Sequence, residues 1–197
     1  LSWDVNDPWV ADTYYRAYYT IALCNELIRH CGDEEISKFS SSEQADIRIY
    51  KAEARFLRAL TYFYVLDLYG QGPFVDETVP VGSFIPQSYN ARQLFEYVEG
   101  ELKDNVENDL ADTNEYGRAS KAAAWTLLAK LYLNAEVYTG EARYTDCITY
   151  CKKVVGAGYS LEPDYQKLFN ADNHLRTNEL IFSFVVDATN TVSWGAT

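Results

Sequence analysis

KAEARFLRALTYFYVLDLYGQGPFV, Lys51 to Val75, reads as a long aromatic-rich helix that stops at a Gly-x-Gly-Pro turn. Ile49, Ala52, Phe56, Ala59, Phe63 and Leu66 recur at steps of three and four, so they line one helical face. Leu57, Leu60, Tyr64 and Leu68 widen that face well beyond a narrow seam. Such a helix must be covered on more than one side. Gly70 suits its end, and Pro73 prevents it from resuming.

Further helices flank this one. The first is expected from Pro8 to Cys31, with Pro8 in its first turn. The central helix then begins near Ser42, where Ser40 and Glu43, or Ser41 and Gln44, have capping-box spacing. Later helices are expected over Asn90–Leu110, Ser120–Val137 and Tyr144–Val155, with a short one over Asp164–Phe169. Asn90 and Gln93 form another capping-box pair, and Gly156 or Gly158 ends the Tyr144 helix. The connection from Gly70 to Ser88 carries Pro73, Pro80 and Pro86. Loops of this length are either functional or packed along the bundle.

Trp125, Leu128, Ala129 and Tyr132 follow the first-helix pattern of a tetratricopeptide repeat. Phe56, Ala59, Leu60 and Phe63 occupy the equivalent places in the central helix. A small residue between bulky ones lets a paired helix approach closely. The proline loop and Tyr138-Thr139-Gly140-Glu141-Ala142-Arg143 lengthen turns, so the repeats are irregular. The fold class is therefore mostly α, an irregular tetratricopeptide-like helical-repeat bundle. Glu179 to Val186, ELIFSFVV, differs, because it reads as a strand that is apolar on both faces. One strand cannot stand alone, so its partners are expected beyond Thr197. Residues 1–175 thus read as the scaffold and 176–197 as the start of an incomplete lobe of a longer protein.

Composition narrows the function. The chain has 197 residues and a formal net charge of −12, with 17 Lys and Arg in no long cluster. That argues against nucleic acid and against direct adsorption to anionic lipid. No apolar run is long enough to span a membrane. Leu1-Ser2-Trp3 reads like the middle of a protein, so a leader or lipid anchor could precede it. The 17 Tyr are read mainly as interface packing with hydroxyls at the rim. Trp3 and Trp9 are read as packing residues near the first helix, and Trp125 as a repeat-core residue. Cys24, Cys31, Cys147 and Cys151 are read as small core thiols, and neither a disulfide nor a metal site is expected of them. Gly156-Ala157-Gly158 follows a helix, which is the wrong context for cradling phosphate. His30 and His174 have no nucleophile in register, and Glu34-Glu35 are loop charges. Catalysis is not expected, and neither is a cofactor.

Several segments resemble the SusD/RagB family. They are Glu53-Ala54-Arg55-Phe56-Leu57-Arg58-Ala59 followed by Leu68-Tyr69-Gly70, then Gly117-Arg118-Ala119-Ser120-Lys121-Ala122-Ala123, then Leu131–Gly140 and Leu168–Asn173. They stand in family order and lie nearest its starch-binding branch. The resemblance implies a helical-repeat scaffold within a lipid-anchored, surface-exposed outer-membrane protein without catalytic activity. Such a protein captures oligosaccharide, with starch-like α-glucan the first expectation, for a SusC-like TonB-dependent transporter. Membrane association would come only through an anchor absent from this chain. RagB-like members handle peptides, so a helical-repeat peptide-binding module is the alternative. Arg55, Arg58 and Arg118 are expected to pair with carboxylates or cap backbone rather than touch ligand.

The resemblance implies a glycan site built mainly from segments outside this chain, with one candidate inside it. Within Asn190-Thr191-Val192-Ser193-Trp194-Gly195, starch-binding relatives carry an aromatic-Gly pair, and that aromatic stacks on sugar. Trp194 and Asn190 are therefore the glycan-binding candidates. Relatives have Tyr where this chain has Trp194. The broad indole face matches the apolar C–H face of a pyranose.

Overall fold

A computed structural model describes Asp4, residues 7–82 and 84–187, Thr189 and Thr191. Trp3, Asn190 and Trp194 lie outside the described residues.

Helix α1 runs Pro8–His30, with Asp7 capping the Trp9 N–H at 2.9 Å. A short α2, Asp33–Ile36, follows, which the periodicity did not signal. The central helix α3 spans Ser41–Tyr69. Its capping box is the Ser40–Glu43 pair, in which the Glu43 carboxylate accepts the Ser40 N–H at 2.9 Å. Gly70 ends it in the left-handed conformation, at φ 70°, with its N–H on the Leu66 carbonyl. Only glycine adopts that conformation without steric cost.

The expected loop after Gly70 is partly ordered as a two-stranded ladder. β1, Gln71–Pro73, pairs antiparallel with β2, Ser88–Asn90. A three-residue strand is too short to show alternation, so the sequence carried no sign of it. Phe74 stacks on Tyr89 at 4.2 Å between ring centroids, closing the base of the loop. Its first part packs along the bundle, whereas Val81 and Ile85 are exposed. The Tyr62 hydroxyl accepts the Val75 N–H at 2.8 Å and donates to the Val75 carbonyl at 2.9 Å. The Asn25 amide donates to the same carbonyl at 3.0 Å.

Asn90 and Gln93 form the capping box of α4, Ala91–Gly100. The helix expected to continue to Leu110 becomes a π-helical segment over Glu101–Val106 and then a short α5, Glu107–Asp109. Val98, Leu102 and Val106 are all fully buried. Residues four apart drift by about 40° per step around an α-helix. The wider π turn keeps them on one face. Helix α6, Lys121–Leu133, is cut at Asn134 from α7, Ala135–Thr139, so the expected Ser120–Val137 helix is two pieces. Helix α8 is Tyr144–Val155, as expected, and a 3₁₀ turn covers Tyr165–Phe169.

Helix α1 lies along α3, and α6 along α8, while α4 and the π segment bridge to α3. This is the irregular helical-repeat bundle expected. One core joins Phe56, Ala59, Phe63 and Leu66 of α3 with Leu94, Val98, Leu128 and Tyr132. Ala59 is 0% exposed, in keeping with its role as the small residue at a close helix approach.

Residues 179–186 form no ladder among the described residues, and the strand expected there was expected to pair with partners beyond Thr197. Ile181 and Phe182 pack on the bundle core, with Phe182 edge-on to Phe56, while Phe184 and Val186 are exposed. Two expectations are corrected. Trp9 is 68% exposed, not packed, and Tyr15 and Tyr19 on α1 are similarly open. Cys151 is exposed, whereas Cys24, Cys31 and Cys147 are buried. Burial pushes the Cys24 thiol up to about 11, against a downward pull from Arg58, so it behaves as an inert core group.

Two partly buried carboxylates, Glu77 and Glu107, are held below their ordinary range. Burial alone would raise Glu77, but the hydrogen bond and charge of Arg58, and the charge of Arg55, outweigh it. Burial likewise opposes Glu107, which accepts from Lys153, from Trp125 Nε1 at 3.0 Å and from the Tyr150 hydroxyl at 3.1 Å. The unfolded chain therefore binds these protons more readily than the fold does. Their stabilisation is full above the ordinary carboxylate value of 4.5 and is lost as pH falls through the lower folded values. Melting temperature followed from about pH 7 to pH 3 should drop below that value, and Glu107→Gln should flatten the drop. An acid profile identical in the variant would remove Glu107 from this account.

Candidate functional site

The motifs Glu53-Ala54-Arg55-Phe56 and Gly117-Arg118-Ala119, far apart in sequence, meet in space. The Glu53 carboxylate accepts from Arg118 Nη2 at 2.8 Å and from the Asn114 amide at 2.5 Å. Asn114 also donates to the Ala119 carbonyl at 2.8 Å, and its own oxygen accepts the Glu115 N–H at 2.9 Å. The Arg118 guanidinium lies 4.9 Å from the Tyr50 ring centroid. Hydrogen bonding to Glu53 holds Arg118 above its ordinary range, against desolvation. These contacts fix the loop before α6 against α3.

Gly117 sits at φ 81°, and a Cβ there would overlap the Val185 side chain. Glycine thus serves both the turn and the close passage of residues 183–185. On the far side, Ser160 N–H donates to the Asn178 carbonyl at 2.9 Å, and the Glu179 carboxylate accepts the Glu162 N–H at 2.6 Å. Between these walls lies a cleft of about 270 Å³, lined by residues 112–118, Ser120, 157–159, 177–178 and 180–183. The segment forming its last wall runs on into a turn. There the Asp187 carboxylate accepts the N–H groups of Thr189 and Thr191, each at 3.0 Å.

Arg55 and Arg58 are also paired, as expected. Arg55 Nε lies 2.9 Å from Glu101, and Arg58 bridges Glu77, Glu101 and Asn25. Trp194 and Asn190 fall outside the described residues. The cleft was missed at the sequence level because its walls come from separate segments. The signal that points to it is Gly117 followed by Ser120 at a helix start. Among the described residues, no group of three or more His, Cys, Asp or Glu is placed to hold a metal ion. No helix there is long and apolar enough to cross a membrane.

Fold and site together define a helical-repeat scaffold that presents a cleft of mixed polar and apolar lining, with Arg55, Arg58 and Arg118 committed to internal pairs. No family model matches the chain. It is 34% identical over 200 residues to the starch-binding protein SusD of Bacteroides thetaiotaomicron, covering 99% of this chain and 34% of that protein. The crystal structure of a SusD-like protein from Bacteroides fragilis aligns with a TM-score of 0.72 at 24% identity, over 91% of this chain and 34% of that one. Surface glycan-binding protein A of Bacteroides thetaiotaomicron, in complex with laminarihexaose, aligns with a TM-score of 0.66 at 24% identity, over 86% of this chain and 34% of that one. The chain belongs to the SusD-like family. It spans about a third of the length of the relatives it matches, which is 34% for SusD.

Proposed function

We propose that the protein containing this chain binds oligosaccharide at the cell surface without cleaving it and passes it to a SusC-like TonB-dependent outer-membrane transporter. Starch-like α-glucan is the proposed ligand class. The reading is carried by the 34% identity to a starch-binding protein across 99% of the chain. Residues 176–197 are proposed as the start of the ligand-binding lobe, with Trp194 stacking on a sugar ring and Asn190, earlier in the same segment, as a polar contact. Surface attachment is proposed to come from a lipid anchor, as the family resemblance implies.

Affinity electrophoresis of the complete protein against a polysaccharide panel tests this. Retardation by an α-glucan is expected, and Trp194→Ala should weaken it by about 1–3 kcal/mol, by analogy with stacking on nucleobases. That corresponds to roughly 5- to 150-fold in affinity. Retardation kept in the variant would move the stacking site elsewhere. A protein that no polysaccharide retards, but that binds peptides, would replace the glycan reading with the peptide one.

A further inference from the structure

We propose that the cleft at the start of α6 is a subsite for one neutral pyranose unit. The proposal rests on the glycan-binding reading and adds a contact region remote from Trp194 in sequence. Ser120 carries it. This residue is 3% exposed and lines the cleft, yet its hydroxyl has no hydrogen-bond partner among the described residues. It stands at the N-cap of α6 without capping through its side chain. An unsatisfied buried hydroxyl costs stability, and a ligand hydroxyl that completes it would offset that cost.

Size and chemistry narrow the occupant. A cavity of about 270 Å³ falls just below the roughly 300–1,000 Å³ of sites for drug-sized ligands, and suits a single ring. Its lining mixes carboxylate acceptors, Asp112 and Glu115, with hydroxyls such as Ser120 and Ser183. Tyr159 and Phe182 add an apolar wall. A pyranose matches both, with hydroxyls around its rim and C–H groups on its faces. Arg118 is engaged by Glu53, and no other lysine or arginine lines the cleft, so an anionic sugar finds no uncommitted cation there.

Titration calorimetry of the complete protein with maltoheptaose, laminarihexaose and a xylogluco-oligosaccharide tests the subsite. Ser120→Ala should leave the melting temperature of the ligand-free protein unchanged or raised, because it deletes an unsatisfied hydroxyl. It should weaken binding about two- to tenfold, the worth of one neutral hydrogen bond. Ala157→Trp, on the exposed turn after α8, fills the cleft and should weaken binding by at least about tenfold. Both variants binding like the wild type would overturn the subsite and leave the glycan reading standing. A Ser120→Ala protein that melts lower would overturn it too, marking Ser120 as structural. A wild type that binds none of the sugars would end the reading and the subsite together.

Discussion

Arg58→Leu is expected to destabilise the scaffold by about 3 kcal/mol, toward the low end of what removing one partner of a buried ion pair costs. Arg58 is 1% exposed. Its Nη1 donates to Asn25 at 2.6 Å and to Glu77 at 2.5 Å, while Nη2 donates to Glu101 at 2.9 Å. Burial pulls its pKa down, yet the negative partners Glu101 and Glu77, with Tyr97 nearby, outweigh burial and hold it above the ordinary range. Leucine would leave Glu101, itself 6% exposed, still paired with Arg55 but without its second guanidinium. It would also release Asn25 and Glu77, which tie the 71–79 connection to α1 and α3. Urea unfolding should show the loss, and hydrogen exchange should quicken at the Val75 amide. Arg58→Lys keeps the charge but cannot span three partners with one planar fork, so it should fall between. A loss below about 1 kcal/mol for leucine would mean that solvent already screens this network.

Ala59→Trp is expected to cost about 3 kcal/mol, at the upper end of overpacking effects in well-packed cores. Ala59 is 0% exposed and belongs to the same cluster as Phe63, Leu94 and Leu128. An indole there must push apart the helices that its methyl lets approach. At this size of loss the melting temperature should fall by roughly 6–12 °C. Unchanged melting would contradict the assignment of that face of α3 to the core. Arg58 and Ala59 are neighbours in sequence but fail by different physics, one by an uncompensated charge and the other by volume.

Much of this architecture was legible because its signals are local. The Ser40–Glu43 and Asn90–Gln93 boxes lie within one helical turn, so spacing alone identifies them. The Gly70 stop is equally local, being a matter of one residue's φ. The spacing of Phe56, Ala59 and Phe63 placed them in the core correctly. The pairing of Arg118 with a carboxylate was foreseeable from residue type, but its partner, Glu53, was not. That contact spans 65 positions in sequence.

Non-local effects account for the misreadings. Trp9 and Cys151 have core-like side chains, yet the fold leaves both exposed. A hydrophobic residue need not be buried, since much of any folded surface is apolar. The π turn at Glu101–Val106 depends on Leu102 and Val106 facing the same neighbours, which no single-helix pattern records.

The sequence by itself determined the long helices, the capping boxes at Ser40 and Asn90, the small residues at close crossings and the family. Each of these depends on a few consecutive residues or on their order. Tertiary structure decided the ladder of β1 and β2, the ion network around Arg58 and the cleft at Ser120. Those depend on groups brought together from distant segments, where burial turns an ordinary hydroxyl or guanidinium into one that must find a partner.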